Sequence, residues 1–156
     1  MSYGGSFQIL KYYAGEASAY LASFTAYLMP PTAPWILLNF IFYPNSNDTL
    51  VLAGIPGLYK CNATTQSCSV FASSDRTLGY SVSSPTSLAY DDQGHLLVSN
   101  WAWVLRLDAL SGQFSDQIIY NGGLQYPQGI SINPLGPNDI VYVSSGNRIL
   151  EFDRRG

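Results

Sequence analysis

The sequence predicts an all-β fold, an incomplete β-propeller of antiparallel four-stranded blades with about three blades plus extra strands, and three observations predict it. The first is a repeat. A charged residue between apolar ones returns at Leu10-Lys11-Tyr12, Tyr59-Lys60-Cys61, Leu105-Arg106-Leu107 and Leu150-Glu151-Phe152, with centres 49, 46 and 45 residues apart. That period fits one propeller blade and exceeds most helical solenoid units. The second is local alternation. In each triplet the outer side chains point to one face of a strand and the charged one to the other, the pattern of a half-buried strand. The third is composition. Charged residues make up 11% of the chain, against roughly 25% in average soluble domains. Hydrophobic residues make up 47% and aromatic ones 14%, enough for a packed core, and Gly, Ser, Asn and Thr supply turns.

The elements follow in order. Phe7 to Tyr13 aligns with Asn147 to Asp153, so the chain opens at a third strand. Tyr20, Ala22, Phe24, Ala26 and Leu28 alternate as a strand does, while Ala17, Tyr20, Leu21, Phe24 and Leu28 also fit a helix. The repeat frame favours a fourth strand, which makes residues 1–33 the third and fourth strands of a preceding blade. Residues 34–75 form the next, with strands at Leu38–Phe42, Thr49–Leu52, Leu58–Cys61 and Cys68–Phe71. Residues 84–120 form the clearest blade: Pro85–Tyr90, His95–Ser99, Trp103–Asp108 and Phe114–Tyr120. Residues 126–156 repeat its first three strands. Third strands end in Asn62, Asp108 and Asp153, whose side chains accept hydrogen bonds from amides two residues on and so start a tight turn.

A toroidal propeller needs four to eight blades so that no sheet face lacks a neighbour. Too few are encoded here. The expected result is a segment with apolar end faces and unpaired strand edges, covered by more polypeptide or by another copy.

Cys61 and Cys68 are the only cysteines, and they flank a hairpin turn. A disulfide is the favoured reading and two buried free thiols the other. The sequons Asn47-Asp48-Thr49 and Asn62-Ala63-Thr64 both fall on expected turns, making Asn47 and Asn62 candidate N-glycosylation sites. Cysteine pair, sequons and low charge favour an oxidising compartment, hence an extracellular or secreted protein. The uncharged stretch Ala17–Asn47 is divided by Pro30, Pro31 and Pro34 into pieces too short for a membrane helix of roughly 20 residues. No leader is visible at Met1–Gly5, as in a processed chain or an excised piece. With net charge −3 and seven Lys and Arg spread along the chain, no basic stripe exists for nucleic acid.

Chemistry is sparse. His95 is the single histidine and has no second imidazole with which to hold zinc, so it reads as an exposed turn-edge residue. No Gly-x-Ser-x-Gly elbow, phosphate loop or alternating acidic calcium loop is present. No cofactor or catalytic set is therefore expected. Trp101 and Trp103, on the link between second and third strands of the middle blade, are candidates for a surface that meets a sugar or partner chain, with inter-blade packing the alternative.

Tyr126-Pro127-Gln128-Gly129-Ile130-Ser131-Ile132, followed by Asp139 to Asp153, resembles an NHL-type β-propeller repeat, and Pro85 to Asp108 is similar but looser. The resemblance is specific over about residues 84–153 and faint over 34–75. It implies blades around an axis, usually six, serving mostly as platforms for proteins, glycans or RNA. Lyases of related fold bind metal through several axial histidines, where this chain has one. The family often has an acid just after the second strand, where this chain has Asn100 and Ser145, which puts the polar contacts of that acid in doubt.

The expectation is a non-enzymatic extracellular interaction or scaffold module that assembles through its open ends with other copies or chain segments, into a filament when the head-to-tail contact does not close. The alternative is a fragment of a longer propeller that binds a protein or glycan. An axial-site lyase or hydrolase ranks below both.

Overall fold

The computed structural model describes residues 6–11, 19–25, 37–46, 48–55, 57–65, 67–73, 82–119, 124–133 and 140–153. Among them are thirteen strands and no helix. β1 (Ser6–Lys11) and β2 (Ala19–Thr25) pair in a two-stranded sheet, so the segment whose pattern suited strand and helix equally is a strand. β3 (Leu37–Phe42), β4 (Thr49–Gly54), β5 (Gly57–Asn62) and β6 (Ser67–Ser73) form the second sheet. β7 (Pro85–Tyr90), β8 (His95–Asn100), β9 (Trp103–Asp108) and β10 (Phe114–Ile119) form the third. β11 (Pro127–Asn133), β12 (Ile140–Ser145) and β13 (Arg148–Phe152) form the fourth. Every pairing is antiparallel and follows chain order, as short hairpin loops allow.

The sheets stack face on face. Val51, Ala53 and Leu58 of the second sheet meet Leu88, Leu96, Val98, Leu105 and Leu107 of the third in one buried cluster. On the other face of the third sheet, Leu97 and Val104 meet Val141 and Val143 of the fourth. The consequence is written in the middle strands. β4 and β8 are each buried at five successive positions; for β8 this is because the second and fourth sheets cover its two faces. Leu50-Val51-Leu52-Ala53 and Leu96-Leu97-Val98 are accordingly continuous apolar runs rather than alternating ones. Each buried Leu or Val contributes about 1.5–3 kcal/mol by leaving water. β12 differs: its burial alternates, with Val141, Val143 and Ser145 inside and Ile140, Tyr142 and Ser144 only half-buried. Ile149 pairs with Ser144 on that same outer face and is 75% exposed. Of the apolar end faces expected from the sequence, this one is mixed, since Ser144 and Glu151 share it with Ile140, Tyr142 and Ile149.

The charged triplet centres find their places in the same stacking. Lys60 and Arg106 are half-buried rather than solvated, each on the face its sheet turns toward the next one. Lys60 extends its stem along apolar surface and sets Nζ 4.2 Å from the ring centroid of Tyr43.

First strands line up between sheets, with β7 packed against β3 on one side and β11 on the other. Polar groups lock this seam. Asn39 Nδ2 donates to Thr86 O (3.4 Å), Thr86 Oγ1 to Pro127 O (2.5 Å), and the Ile130 amide to Ser87 Oγ (3.2 Å). A second lock lies on the outer side. Asp108 Oδ1 accepts from the Leu110 and Ser111 amides and the Ser111 hydroxyl, folding the turn after β9 and ending it at Gly112 (φ +71°). A methyl group on Gly112 would press on the carbonyl oxygen of Phe71, across the seam in the second sheet. Gly112→Ala is therefore expected to destabilise by about 3 kcal/mol, from left-handed backbone strain plus a clash with unyielding backbone. Denaturant unfolding measures this, and a loss below about 1 kcal/mol would mean the turn yields freely.

Candidate functional site

The β8–β9 hairpin pairs Asn100 with Trp103 and leaves Trp101-Ala102 as a two-residue loop. Such loops need a left-handed backbone at the first central position, normally filled by Gly, Asn or Asp. The β12–β13 hairpin satisfies the rule, with Gly146 at φ +61° between Ser145 and Arg148. At the matching place the third sheet carries Trp101, at φ +55°. A bulky side chain in that conformation costs about 1–2 kcal/mol. Burial does not offset the cost, because Trp101 is 61% exposed.

Tyr126 shows the same combination. It lies at φ +51°, immediately before Pro127, where a following proline favours extended backbone, and it is 67% exposed. Among the described residues three non-glycine residues have positive φ. Asn45 is of a type that tolerates it; the other two are Trp101 and Tyr126. Their rings meet edge to face, centroids 5.6 Å apart and planes at 73°.

Together they wall a cleft of about 300 Å³ lined also by Ser84, Thr86, Pro127 and Gln128. The floor is rigid. Thr86 Oγ1 is held by Pro127 O and lies 2.8 Å from Ser99 Oγ. The chain approaching β7 is held by Asn100, whose Oδ1 accepts from the Ser84 amide (2.9 Å). Ser145 does the same for β11, accepting from the Gln125 amide (2.6 Å) and donating to Gln125 O (3.2 Å). Asn100 and Ser145, which stand where the NHL-type pattern often has an acid, are both buried and both make the polar clamp. By contrast, Ser84 Oγ and the Gln128 carboxamide have no hydrogen-bond partner among the described residues.

The other sequence candidates separate. Trp103 does not share the surface of Trp101: two residues further on, within β9, it is half-buried against the core cluster between the second and third sheets. Tyr126 takes its place as the second aromatic of the surface. His95 is not an exposed turn-edge residue but half-buried, with Nδ1 2.9 Å from Asp91 Oδ2. Cys61 and Cys68 face one another across β5 and β6 and are bonded, S–S 2.05 Å. Closing so short a loop is worth about 2.5 kcal/mol in the chain-entropy picture. Asn62 is half-buried in a turn network: Nδ2 donates to Asp48 Oδ2 (3.3 Å) and Oδ1 accepts from the Thr65 amide (2.8 Å). Asn47 lies outside the described residues. Among those residues no group of three or more His, Cys, Asp and Glu could hold a metal ion, and no helix is long and apolar enough to cross a membrane.

The acidic side chains of the turns are tied into backbone. Burial pushes the carboxyl of Asp91 upward, but the His95 and Gln93 amides and the His95 ring outweigh it, so the group stays below the usual carboxylate range. Its side chain is 4% exposed. A depressed folded value means stability that is present above the unfolded pKa and lost as pH falls through the folded one. The native protein is therefore expected to lose thermal stability as pH drops below about 4. Asp91→Asn is expected to lie lower at neutral pH and to fall less steeply in that acid window. Melting curves at neutral and acid pH measure both; parallel curves would remove Asp91 from the account.

The chain matches no family model and no curated protein. Among solved structures it is similar to the crystal structure of the computationally designed Ika8 protein, with 13% identity, 70% of this chain and 31% of that chain covered, and TM-score 0.48. It is also similar to the AfRom2 CNH domain, with 9% identity, 98% of this chain and 48% of that chain covered, and TM-score 0.58. It thus spans about a third and about half of the length of these structures. At such identity the second likeness speaks to the fold alone.

Proposed function

We propose that this chain is about half of a β-propeller-like, non-enzymatic interaction module, whose ring is completed by a second half, either another copy or further polypeptide. The observation that carries this reading is the burial of the middle strands: β4 and β8 are covered on both faces, β12 on one. A sheet equivalent to its neighbours, with Ile149 standing out from its uncovered face, calls for one more layer. Two further points support it. First strands β3, β7 and β11 neighbour one another, as inner strands do around an axis. The AfRom2 CNH domain is propeller-like and this chain covers 48% of it, so a second equal share would span nearly the rest.

The resemblance to NHL-type repeats supports a platform role, and the Cys61–Cys68 bond supports work in an oxidising, extracellular setting. Asn62 at a turn is a place for a glycan there. Binding rather than catalysis is favoured because the cleft of Trp101 and Tyr126 is lined, among the described residues, by no acid, histidine or cysteine. Light scattering of the 156-residue chain across a range of concentrations tests the reading. A discrete dimer is expected if two copies close the ring, and a ladder of larger species if the contact propagates. A monomer that stays monomeric at high concentration, with Ile149→Lys changing nothing, would overturn closure by a second copy and leave further polypeptide as the second half.

A further inference from the structure

We propose that the Trp101–Tyr126 cleft is a carbohydrate-binding site that takes one ring of a neutral sugar, stacked on the indole and held at its edge by Ser84 and Gln128. How the propeller closes does not enter, since the described lining residues all lie on or beside strands of the third and fourth sheets. It begins with cost. Two bulky aromatic residues sit in left-handed backbone, next to each other and exposed, where the equivalent hairpin one sheet on carries Gly146. Strain that packing does not repay is the signature of a functional constraint.

The shape selects a small occupant. A volume of about 300 Å³ lies at the lower end of small-molecule sites, roughly 300–1,000 Å³. Two rings at 73° make a corner, with one face to stack against and one wall to abut. A pyranose has the matching form, an apolar face of C–H groups and a rim of hydroxyls. The lining chemistry agrees. Among the described residues no charged side chain borders the cleft, so a neutral ligand loses nothing by desolvation against a fixed charge. Ser84 Oγ and the Gln128 carboxamide lack partners among the described residues, and each both donates and accepts. Sugar hydroxyls do the same. A proline-rich peptide, the other partner that aromatic grooves attract, offers mostly carbonyl acceptors and would leave half of that capacity unused.

Affinity electrophoresis of the full chain through gels containing laminarin, mannan or xylan tests the site, alongside a tryptophan-fluorescence titration with decaproline. At least one polysaccharide is expected to retard the native protein. Trp101→Gly and Tyr126→Ala are each expected to weaken that retardation about tenfold or more. Trp101→Gly also relieves backbone strain, so its thermal midpoint is expected to equal or exceed the native one, which separates lost binding from lost folding. Migration unaffected by all three polysaccharides would overturn the proposal. So would retardation that survives both substitutions, or a fluorescence response to decaproline alone, which would make the cleft a peptide groove.

Discussion

Double-sided burial of the middle strands is the constraint on which the structure depends. Leu50 to Ala53 in β4 and Leu96 to Val98 in β8 have no face left for water, and for β8 the cover is the second sheet on one side and the fourth on the other. Everything else is arranged to keep the stack in register. Apolar burial is non-directional and would allow sheets to slide. Thr86, Ser87 and Asn39 remove that freedom by crossing the seam with hydrogen bonds at fixed heights. Gly112 under the Phe71 carbonyl does so on the outer side by leaving no space.

The cleft follows from the same arrangement. Its walls come from a hairpin of the third sheet and the approach to β11 in the fourth, and the seam decides how far apart these stand. Asn100 and Ser145 hold the two approaches from beneath, so the rings of Trp101 and Tyr126 project from a fixed base rather than from loose chain. Preorganisation of this kind lowers the entropy that a ligand must remove on binding.

Strands were legible because their physics is local. Continuous apolar runs mark β4 and β8, and charged-centre triplets mark β5, β9 and β13, close to where the chain forms them. In β1–β2 the alternation of Tyr20, Ala22 and Phe24 prevailed over an equally good helical spacing because a partner strand was at hand. The cleft was not legible in the same way. Trp101 and Tyr126 are 25 residues apart in sequence, and their meeting is a property of sheet stacking. Trp101 and Trp103 look alike in the sequence, yet the first occupies the hairpin loop and the second packs into the core. One signal was available: aligning the repeats sets Trp101 over Gly146, a substitution no tight turn favours. Asn100 and Ser145 carry a similar lesson, since their bonds to the chain before β7 and β11 follow from the stacked fold and not from any motif.

The Cys61–Cys68 bond has a reach beyond its own hairpin. It pins β6, the outermost strand of its sheet, to β5. β6 also carries Phe71, whose ring joins the inter-sheet cluster and whose carbonyl covers Gly112. An outer strand with exposed Val70 is where unzipping starts. The covalent tie guards the rim strand that carries Phe71, so reducing surroundings would loosen the second sheet first at the edge that touches the third.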